Sequence, residues 1–246
     1  MTIEHLWLIG IGTGNPDHVT GAGMQALRDA AIVLVPHKGT DKDDLAQLRL
    51  GIIAASGTKA RIIPFQYPVR DPNLPYQDRV AAWHDRIAER WQAALGAAGV
   101  TGPVALLVWG DPALYDSTLR IAARLSPPPQ MRVVPGITAI QALTAAHAIP
   151  LNTVNGPVHV TTGRRLRDHG WPAEAETVVV LLDADCSFRQ LDPTYITIWW
   201  GAFLGMPQQV LWHGALTDAA EQIPALRSAA RAEHGWIMDT YLMRRS

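Results

Sequence analysis

The sequence predicts an α/β protein with two α/β domains, a parallel-sheet domain over residues 1–136 and a mixed-sheet domain over residues 137–246. Two observations lead to this prediction. In the first part, short apolar runs alternate with longer, alanine-rich stretches of helical spacing. In the second part, strand-like runs follow one another with fewer helices between them. Because only parallel neighbours need a long crossover connection, the two patterns predict two different sheets.

In the first part, each apolar run is short and bounded by turn residues, which is typical of a buried strand. The predicted strands are residues 6–11, 32–35, 60–63, 104–109 and 131–134. Helical patterns between them cover residues 21–31, 44–55, 76–98 and 117–125. Buried strands that alternate with helices predict a parallel sheet, and ligands bind beyond the carboxyl ends of such strands.

The second part begins with a predicted helix over residues 137–147. Predicted strands follow at residues 158–162, 178–182, 196–200 and 209–213, then a helix at 218–234 and a last strand at 236–242. No helix is predicted between the first two of these strands. The short connections favour a mixed, partly antiparallel sheet.

Composition excludes several classes of partner and site. The 246 residues include 21 Lys and Arg against 22 Asp and Glu, and this near-neutral balance argues against nucleic acid or a membrane surface as partner. The single cysteine, Cys186, allows no intrachain disulfide and fits a cytoplasmic protein. The nine histidines lack the spacing or carboxylate grouping of a metal site, so no metal is predicted.

The first, fourth and fifth predicted strands end in glycine-containing loops that share one edge of the predicted sheet. The first loop carries Gly10, Gly12 and Gly14, and glycine permits close approach of the backbone to a ligand. A dinucleotide-binding fingerprint needs a further glycine at position 15, where this sequence has Asn15. A phosphate-binding loop ends in Gly-Lys-Ser/Thr, and this loop has no such ending. A tight turn without any ligand is the alternative interpretation.

The second and third loops add polar groups to this edge. In residues 109–115, the Asp111 carboxylate suits a cationic ligand group such as an α-ammonium, or else caps a helix started by Pro112. In residues 135–139, Thr138 suits a helix N-cap, or else faces a ligand. Each loop alone is a weak signal, but three on one edge predict a binding site.

These three loops, in this order, resemble those of the tetrapyrrole methylase family. Its members share a Gly-x-Gly-Pro-Gly-Asp loop, a Gly-Asp-Pro loop and a Pro-Gly-x-Ser/Thr-Ala loop. The resemblance covers nearly the whole chain, but Thr13 replaces the proline and Asn15 replaces the aspartate, a candidate acid/base group in other members. It implies S-adenosylmethionine (SAM) folded into an interdomain cleft, a tetrapyrrole substrate and a homodimer.

The resemblance implies cofactor contacts at Thr13, Trp109, Gly110, Asp111, Leu114, Thr138, Ala139 and Leu182. Candidate catalytic groups are the polar side chains beside these contacts, namely Asp17, Tyr115, Asp116 and Asp183. For any single one of these, a side chain in water at a helix start or in a loop is the favoured interpretation. A polycarboxylate substrate favours arginines, so Arg164 and Arg165 are candidate substrate ligands, with a solvated surface as the alternative.

Residues 9–16, 199–205 and 235–245 are most similar to family members of cobalamin biosynthesis that methylate precorrin-5 at C1 and release the C20 fragment as acetate. Another precorrin or uroporphyrinogen C-methyltransferase is the nearest alternative. A more distant one is an NAD-dependent oxidoreductase, although the glycine pattern and the missing ribose-binding acid after the second strand weigh against it. A non-catalytic SAM or tetrapyrrole sensor is a further alternative.

Overall fold

A computed structural model describes residues 3–37, 43–99 and 101–245 of the chain. The chain forms two compact units, unit 1 (Met1–Thr138) and unit 2 (Ala139–Ser246). The domain boundary expected after Gly136 lies close to this division, and we propose that the two units are the two domains. No helix in the described ranges is both long and apolar enough to cross a membrane.

Unit 1 is built on a five-stranded parallel sheet with the strand order β3-β2-β4-β1-β5. Its elements in chain order are β1 (His5–Gly10), α1 (Gly21–Asp29), β2 (Ile32–His37), α2 (Asp43–Ser56), β3 (Arg61–Gln66), α3 (Tyr76–Ala98), β4 (Val104–Val108), α4 (Thr118–Ala122) and β5 (Gln130–Val134). The predicted parallel sheet is therefore confirmed.

The inner strands β1, β2 and β4 are buried on both faces, which explains their apolar runs, whereas the edge strands β3 and β5 are largely exposed. Leu6 and Leu8 of β1 pack into one core, whereas Ile9 packs into a second core on the other face. Alternating residues of β2 divide in the same way, with Leu34 in the first core and Val35 in the second. A strand buried twice needs apolar residues at every position.

Helix α4 is shorter than the predicted 117–125. After Ala122 the chain tightens, because Arg124 and Leu125 donate their N–H groups to carbonyls three residues earlier. The apolar pattern continues through this turn, since Leu125 is buried in the core. The apolar pattern therefore predicted the burial of Leu125 correctly, but it did not predict that the helix ends at Ala122.

Unit 2 contains a mixed five-stranded sheet with the order β6-β7-β10-β8-β9. Its elements are α5 (Ala139–Ala146), β6 (Val158–Thr162), α6 (Gly163–His169), β7 (Thr177–Leu181), β8 (Ile196–Ala202), β9 (Val210–Ala215), α7 (Leu216–His234) and β10 (Asp239–Arg245). Strands β6 and β7 are parallel, and the other neighbouring pairs are antiparallel. The predicted mixed sheet is confirmed.

Two details of unit 2 differ from the sequence prediction. Helix α6 was not predicted, because Gly163 and Leu166 are its only buried residues and leave no apolar period to detect. Strand β10 begins at Asp239 and runs to Arg245, beyond the predicted end. Its charged end is accommodated because the Arg245 guanidinium lies 4.5 Å from the centre of the Trp171 ring.

Candidate functional site

Three loops meet at one edge of the unit 1 sheet. Strand β1 lies between β4 and β5, and all three run parallel, so their carboxyl ends are neighbours. The loops after Gly10, Val108 and Val134 therefore leave the sheet side by side. This confirms that the three glycine-containing loops share an edge.

Glycines allow the three loops to touch through their backbones. Gly12 and Gly110 form an antiparallel bridge, in which Gly110 N–H donates to the Gly12 carbonyl at 2.7 Å. A Cβ on Gly136 would lie 2.1 Å from the Gly110 carbonyl oxygen, and a Cβ on Gly10 would lie 2.6 Å from the Gly136 nitrogen. Both distances are far below van der Waals contact, so only glycine permits this crossing.

Gly110 is half-buried, and its need for glycine differs from that of Gly10 and Gly136. Its φ of +60° is a backbone conformation that favours glycine, whereas a Cβ there would lie 3.8 Å from the Thr138 Cα, an ordinary van der Waals distance. The backbone conformation rather than close packing therefore requires glycine at this position.

Asp111 fastens two of the loops together. Its Oδ1 accepts the N–H of Ala113 at 2.8 Å, and its Oδ2 accepts the N–H of Gly136 at 3.0 Å. The prediction that Asp111 and Pro112 start a helix is wrong, because the chain turns here and α4 begins only at Thr118. Asp111 instead stabilises the loop crossing.

The first loop is also fixed by local hydrogen bonds. Thr13 Oγ1 lies 3.0 Å from His18 Nδ1, and Asn15 Oδ1 accepts the N–H of Asp17 at 2.9 Å. Asn15 thereby caps a 3₁₀ helix at Pro16–His18, a task that an aspartate would also perform. Asp17 itself is exposed. Sequence reasoning missed His18, since a single histidine carries no pattern.

The second loop contacts a half-buried arginine that sequence reasoning also missed. The Arg49 guanidinium of α2 lies 5.2 Å from the centre of the Trp109 ring, and its Nε donates to the Leu107 carbonyl at 3.4 Å. Burial lowers the pKa of Arg49. The indole nitrogen of Trp109 is buried without a hydrogen-bond partner among the described residues.

The remaining candidates on this loop differ in exposure. Leu114 is half-buried, whereas Tyr115 is exposed and has a φ of 50°, a backbone conformation that is uncommon for a large side chain. Asp116 Oδ1 accepts the N–H of Thr118, the first residue of α4, at 2.6 Å. Thr138, half-buried, immediately precedes α5, which begins at Ala139.

In unit 2, Leu182 follows the carboxyl end of β7. Its side chain is 68% exposed, and its φ is 55°. An exposed leucine in a left-handed conformation costs free energy, and such strain is found more often at functional sites.

Asp183, the next residue, is buried and fully engaged. Its carboxylate accepts hydrogen bonds from Ser187 N–H at 2.7 Å, Ser187 Oγ at 2.8 Å, Asp185 N–H at 3.1 Å and the Tyr241 hydroxyl at 2.6 Å. A Cβ on Gly163 would lie 2.3 Å from its Cγ, so α6 also closes over it. We therefore replace the catalytic expectation for Asp183 with a structural role, because its oxygens are occupied within unit 2.

The two candidate substrate arginines lie on α6. Arg164 and Arg165 are both exposed in the first turn of this helix. Arg167, on the same helix, contacts Asp185 at 2.8 Å. In the described ranges, no group of three or more His, Cys, Asp or Glu side chains is arranged to hold a metal ion.

Comparison with known proteins gives consistent matches. Residues 5–220 match the model of the tetrapyrrole (corrin/porphyrin) methylases. Precorrin-6A synthase [deacetylating] of Sinorhizobium sp is 42% identical over 99% of this chain and 96% of that protein. The crystal structure of a cobalamin synthesis related protein (CobF) from Corynebacterium diphtheriae is 36% identical, covers 99% of both chains and has a TM-score of 0.81.

A more distant structure shares the fold. Uroporphyrin-III C-methyl transferase of Thermus thermophilus, solved as a complex with S-adenyl homocysteine, is 16% identical and has a TM-score of 0.60. The match covers 98% of this chain and 97% of the other.

Proposed function

We infer the function from one premise: the chain belongs to the tetrapyrrole (corrin/porphyrin) methylase family. It is a SAM-dependent C-methyltransferase of cobalamin biosynthesis. We propose that it methylates precorrin-5 at C1 and releases the C20 fragment as acetate, which gives precorrin-6A. One observation supports a methyl donor site most directly. The backbones of Gly10, Gly110 and Gly136 cross in close contact, and a hydrogen bond from Gly136 to Asp111 joins two of the three loops.

The residues present fit the cofactor. Gly110 presents half-buried backbone without a side chain, and the buried indole nitrogen of Trp109 is a donor without a hydrogen-bond partner among the described residues. The resemblance implies further cofactor contacts in unit 1 and at the first residue of unit 2, namely Thr13, Asp111, Leu114, Thr138 and Ala139. Leu182, the contact implied in unit 2, is exposed at the end of β7. When bound, SAM supplies a methyl group activated by a sulfonium.

The protein must align the substrate carbon with this methyl group and exclude water, and it needs no strong acid. Release of acetate requires a water oxygen to bond to the acetyl carbonyl carbon while the bond from this carbon to the macrocycle breaks. The electron pair of the broken bond stays on the macrocycle, which can then take the methyl group at C1, and the protons of the water pass to a base. Asp17, Tyr115 and Asp116 are the proposed groups for proton transfer. Asp116 already accepts one hydrogen bond from Thr118, whereas Asp17 and Tyr115 are exposed.

Arg164 and Arg165 are the proposed ligands of the substrate carboxylates. Both are exposed on α6, and a guanidinium binds a carboxylate through two parallel hydrogen bonds. The homodimer and the cytoplasmic location are parts of the same proposal.

The test is to incubate the protein with SAM and precorrin-5 and to analyse the products by mass spectrometry. We expect one added methyl group and free acetate in equal amounts. A methylated product that keeps its two-carbon fragment would identify another precorrin methylase. Saturable binding of NAD without binding of SAM would identify an oxidoreductase, and SAM binding without turnover would identify a sensor.

A further inference from the structure

The loop after β1 holds a histidine against a threonine. His18 Nδ1 lies 3.0 Å from Thr13 Oγ1, and both side chains are half-buried. A hydrogen bond at one ring nitrogen fixes the orientation of an imidazole and decides which nitrogen carries the proton. A histidine oriented in this way has the geometry that proton transfer requires.

The loop also fixes the backbone of His18. Its N–H donates to the Asn15 carbonyl at 2.9 Å, at the end of the 3₁₀ helix Pro16–His18. A Cβ on Gly12 would lie 2.4 Å from the His18 Cβ, so only glycine leaves room for this side chain. The imidazole is therefore held from two sides, by the backbone and by Thr13.

The same glycine connects His18 to the crossing of the loops. Gly12 accepts the N–H of Gly110 at 2.7 Å and forms an antiparallel bridge with it. Because His18 packs directly on Gly12, the imidazole lies beside the crossing that we propose as the cofactor site. A group that transfers a proton to or from the substrate has to lie near this crossing.

The second ring nitrogen of His18 is accessible. Across the described ranges, the hydrogen bond at Nδ1 is the only one that its side chain makes. The buried side-chain nitrogens that lack a partner in these ranges belong to His84, Arg86, Trp91 and Trp109. His18 Nε2 lacks a partner without being one of these buried atoms, so a water molecule can reach it.

We propose that His18 is the catalytic base that takes the first proton of the water in the release of acetate, and that Thr13 is its positioning residue. In this assignment Nδ1–H donates to Thr13 Oγ1, so the lone pair is on Nε2. Asn15 cannot act as this base, because an amide is not basic and its Oδ1 already accepts the N–H of Asp17. The inference rests on the proposed function.

The proton and the electrons are accounted for in this step. The water oxygen bonds to the acetyl carbonyl carbon while one of its protons passes to His18 Nε2. The bond from that carbon to the macrocycle then breaks, and its electron pair stays on the macrocycle. The second proton leaves on acetic acid, which ionises to acetate, and His18 returns its proton to the solvent. No oxidant or reductant is needed.

The first test compares the release of acetate by His18→Gln and by the wild type at saturating SAM. Glutamine can donate to Thr13 but has no basic nitrogen, so we expect the rate to fall about 10²-fold or more. The affinity for SAM, measured by calorimetry, should not change. His5→Gln is the matched control, because it alters a half-buried histidine at the opposite end of β1.

Added imidazole should restore part of the rate in His18→Ala, which a purely structural role would not allow. Turnover and SAM affinity that fall together, without this rescue, would overturn the inference. Acetate release at the wild-type rate in His18→Gln would overturn the inference alone. A wild-type protein that methylates precorrin-5 without releasing acetate would overturn the proposed function as well.

The tautomer of His18 is a readout that needs no turnover. Nitrogen NMR of the histidine-labelled protein in alkaline buffer should show the Nδ1–H form in the wild type, with His18→Gln assigning the signal by its loss. Thr13→Val removes the hydroxyl and keeps the shape, so we expect a shift toward the Nε2–H form. An Nε2–H form in the wild type, or no change in Thr13→Val, would contradict the proposal.

Discussion

The Asp111 carboxylate accepts the N–H of Gly136 across 3.0 Å and so joins the loop after β4 to the loop after β5. Its second oxygen accepts the N–H of Ala113 within its own loop. One side chain therefore fixes two of the three loops that we propose as the cofactor site.

Replacing Asp111 by asparagine should weaken SAM binding about tenfold, because an amide nitrogen cannot accept the Gly136 N–H and a lost charged hydrogen bond costs about 1.5 kcal/mol. Calorimetric titration with SAM measures the effect. Asp71→Asn is the matched control, since Asp71 Oδ1 accepts the N–H of Asn73 at 2.9 Å in a similar turn outside the site. Equal affinities in wild type and Asp111→Asn would show that the clamp is irrelevant to binding.

Replacing Gly136 by alanine should force the crossing apart, because the new Cβ would lie 2.1 Å from the Gly110 carbonyl oxygen. We expect the free energy of unfolding to fall by roughly 1–3 kcal/mol, together with a loss of SAM binding. Urea unfolding provides the measurement. Gly51→Ala in α2 is the control: its Cβ meets nothing within 4 Å, and the helix should gain about 0.5–1 kcal/mol. A Gly136→Ala protein as stable as wild type would contradict the packing argument.

Asp183→Asn tests the structural role of this buried carboxylate. An amide would leave donors of Ser187 or Tyr241 unsatisfied, at roughly 1–3 kcal/mol for each. We expect a lower urea midpoint with turnover per folded molecule preserved. Tyr241→Phe, which removes one donor only, should give a smaller loss of stability. Abolished turnover at unchanged stability would instead make Asp183 a catalytic residue.

The double variant Arg164→Ala with Arg165→Ala should raise KM for the tetrapyrrole about tenfold or more, because hydrogen bonds to charged groups contribute roughly 1.5–3 kcal/mol each. The affinity for SAM should not change. Arg167→Ala, on the same helix but paired with Asp185, is the control. If KM for the double variant equals that of the wild type, these two arginines are surface residues only.

His147 should make the protein sensitive to acid. Burial lowers the pKa of its imidazole, whose Nε2 lies 3.0 Å from the Trp200 carbonyl oxygen. In the unfolded chain the histidine pKa is about 6.5, so between this pH and the lower folded pKa the unfolded chain binds a proton that the folded chain does not bind. This contribution to stability is therefore present above about pH 6.5 and is lost as the pH falls through the lower, folded value.

Urea midpoints at pH 7.5 and pH 5 measure this effect. The difference between them should shrink in His147→Gln. It should stay at the wild-type value in His159→Gln, which changes an exposed histidine of β6. The same pH difference in His147→Gln and in the wild type would assign the acid sensitivity to other groups.

Much of the fold followed from local pattern. Strands β2 and β4 are buried on both faces, so each appears in the sequence as an uninterrupted apolar run. The edge that carries Gly110 and Asp111 followed as well, because parallel strands end on the same side. Helix α6 was not predicted, because most of its residues are polar and its buried residues are Gly163 and Leu166.

By itself, the sequence determined the two kinds of sheet, the edge where three loops gather and the family that the chain resembles, because these depend on residues close together in the chain. Only the tertiary structure decided what distant residues do to one another. It placed Arg49 over Trp109, enclosed Asp183 between Ser187 and Tyr241, and tied Asp111 to Gly136. Contacts between residues far apart in the chain produce no periodic pattern in the sequence, so only the folded structure shows them.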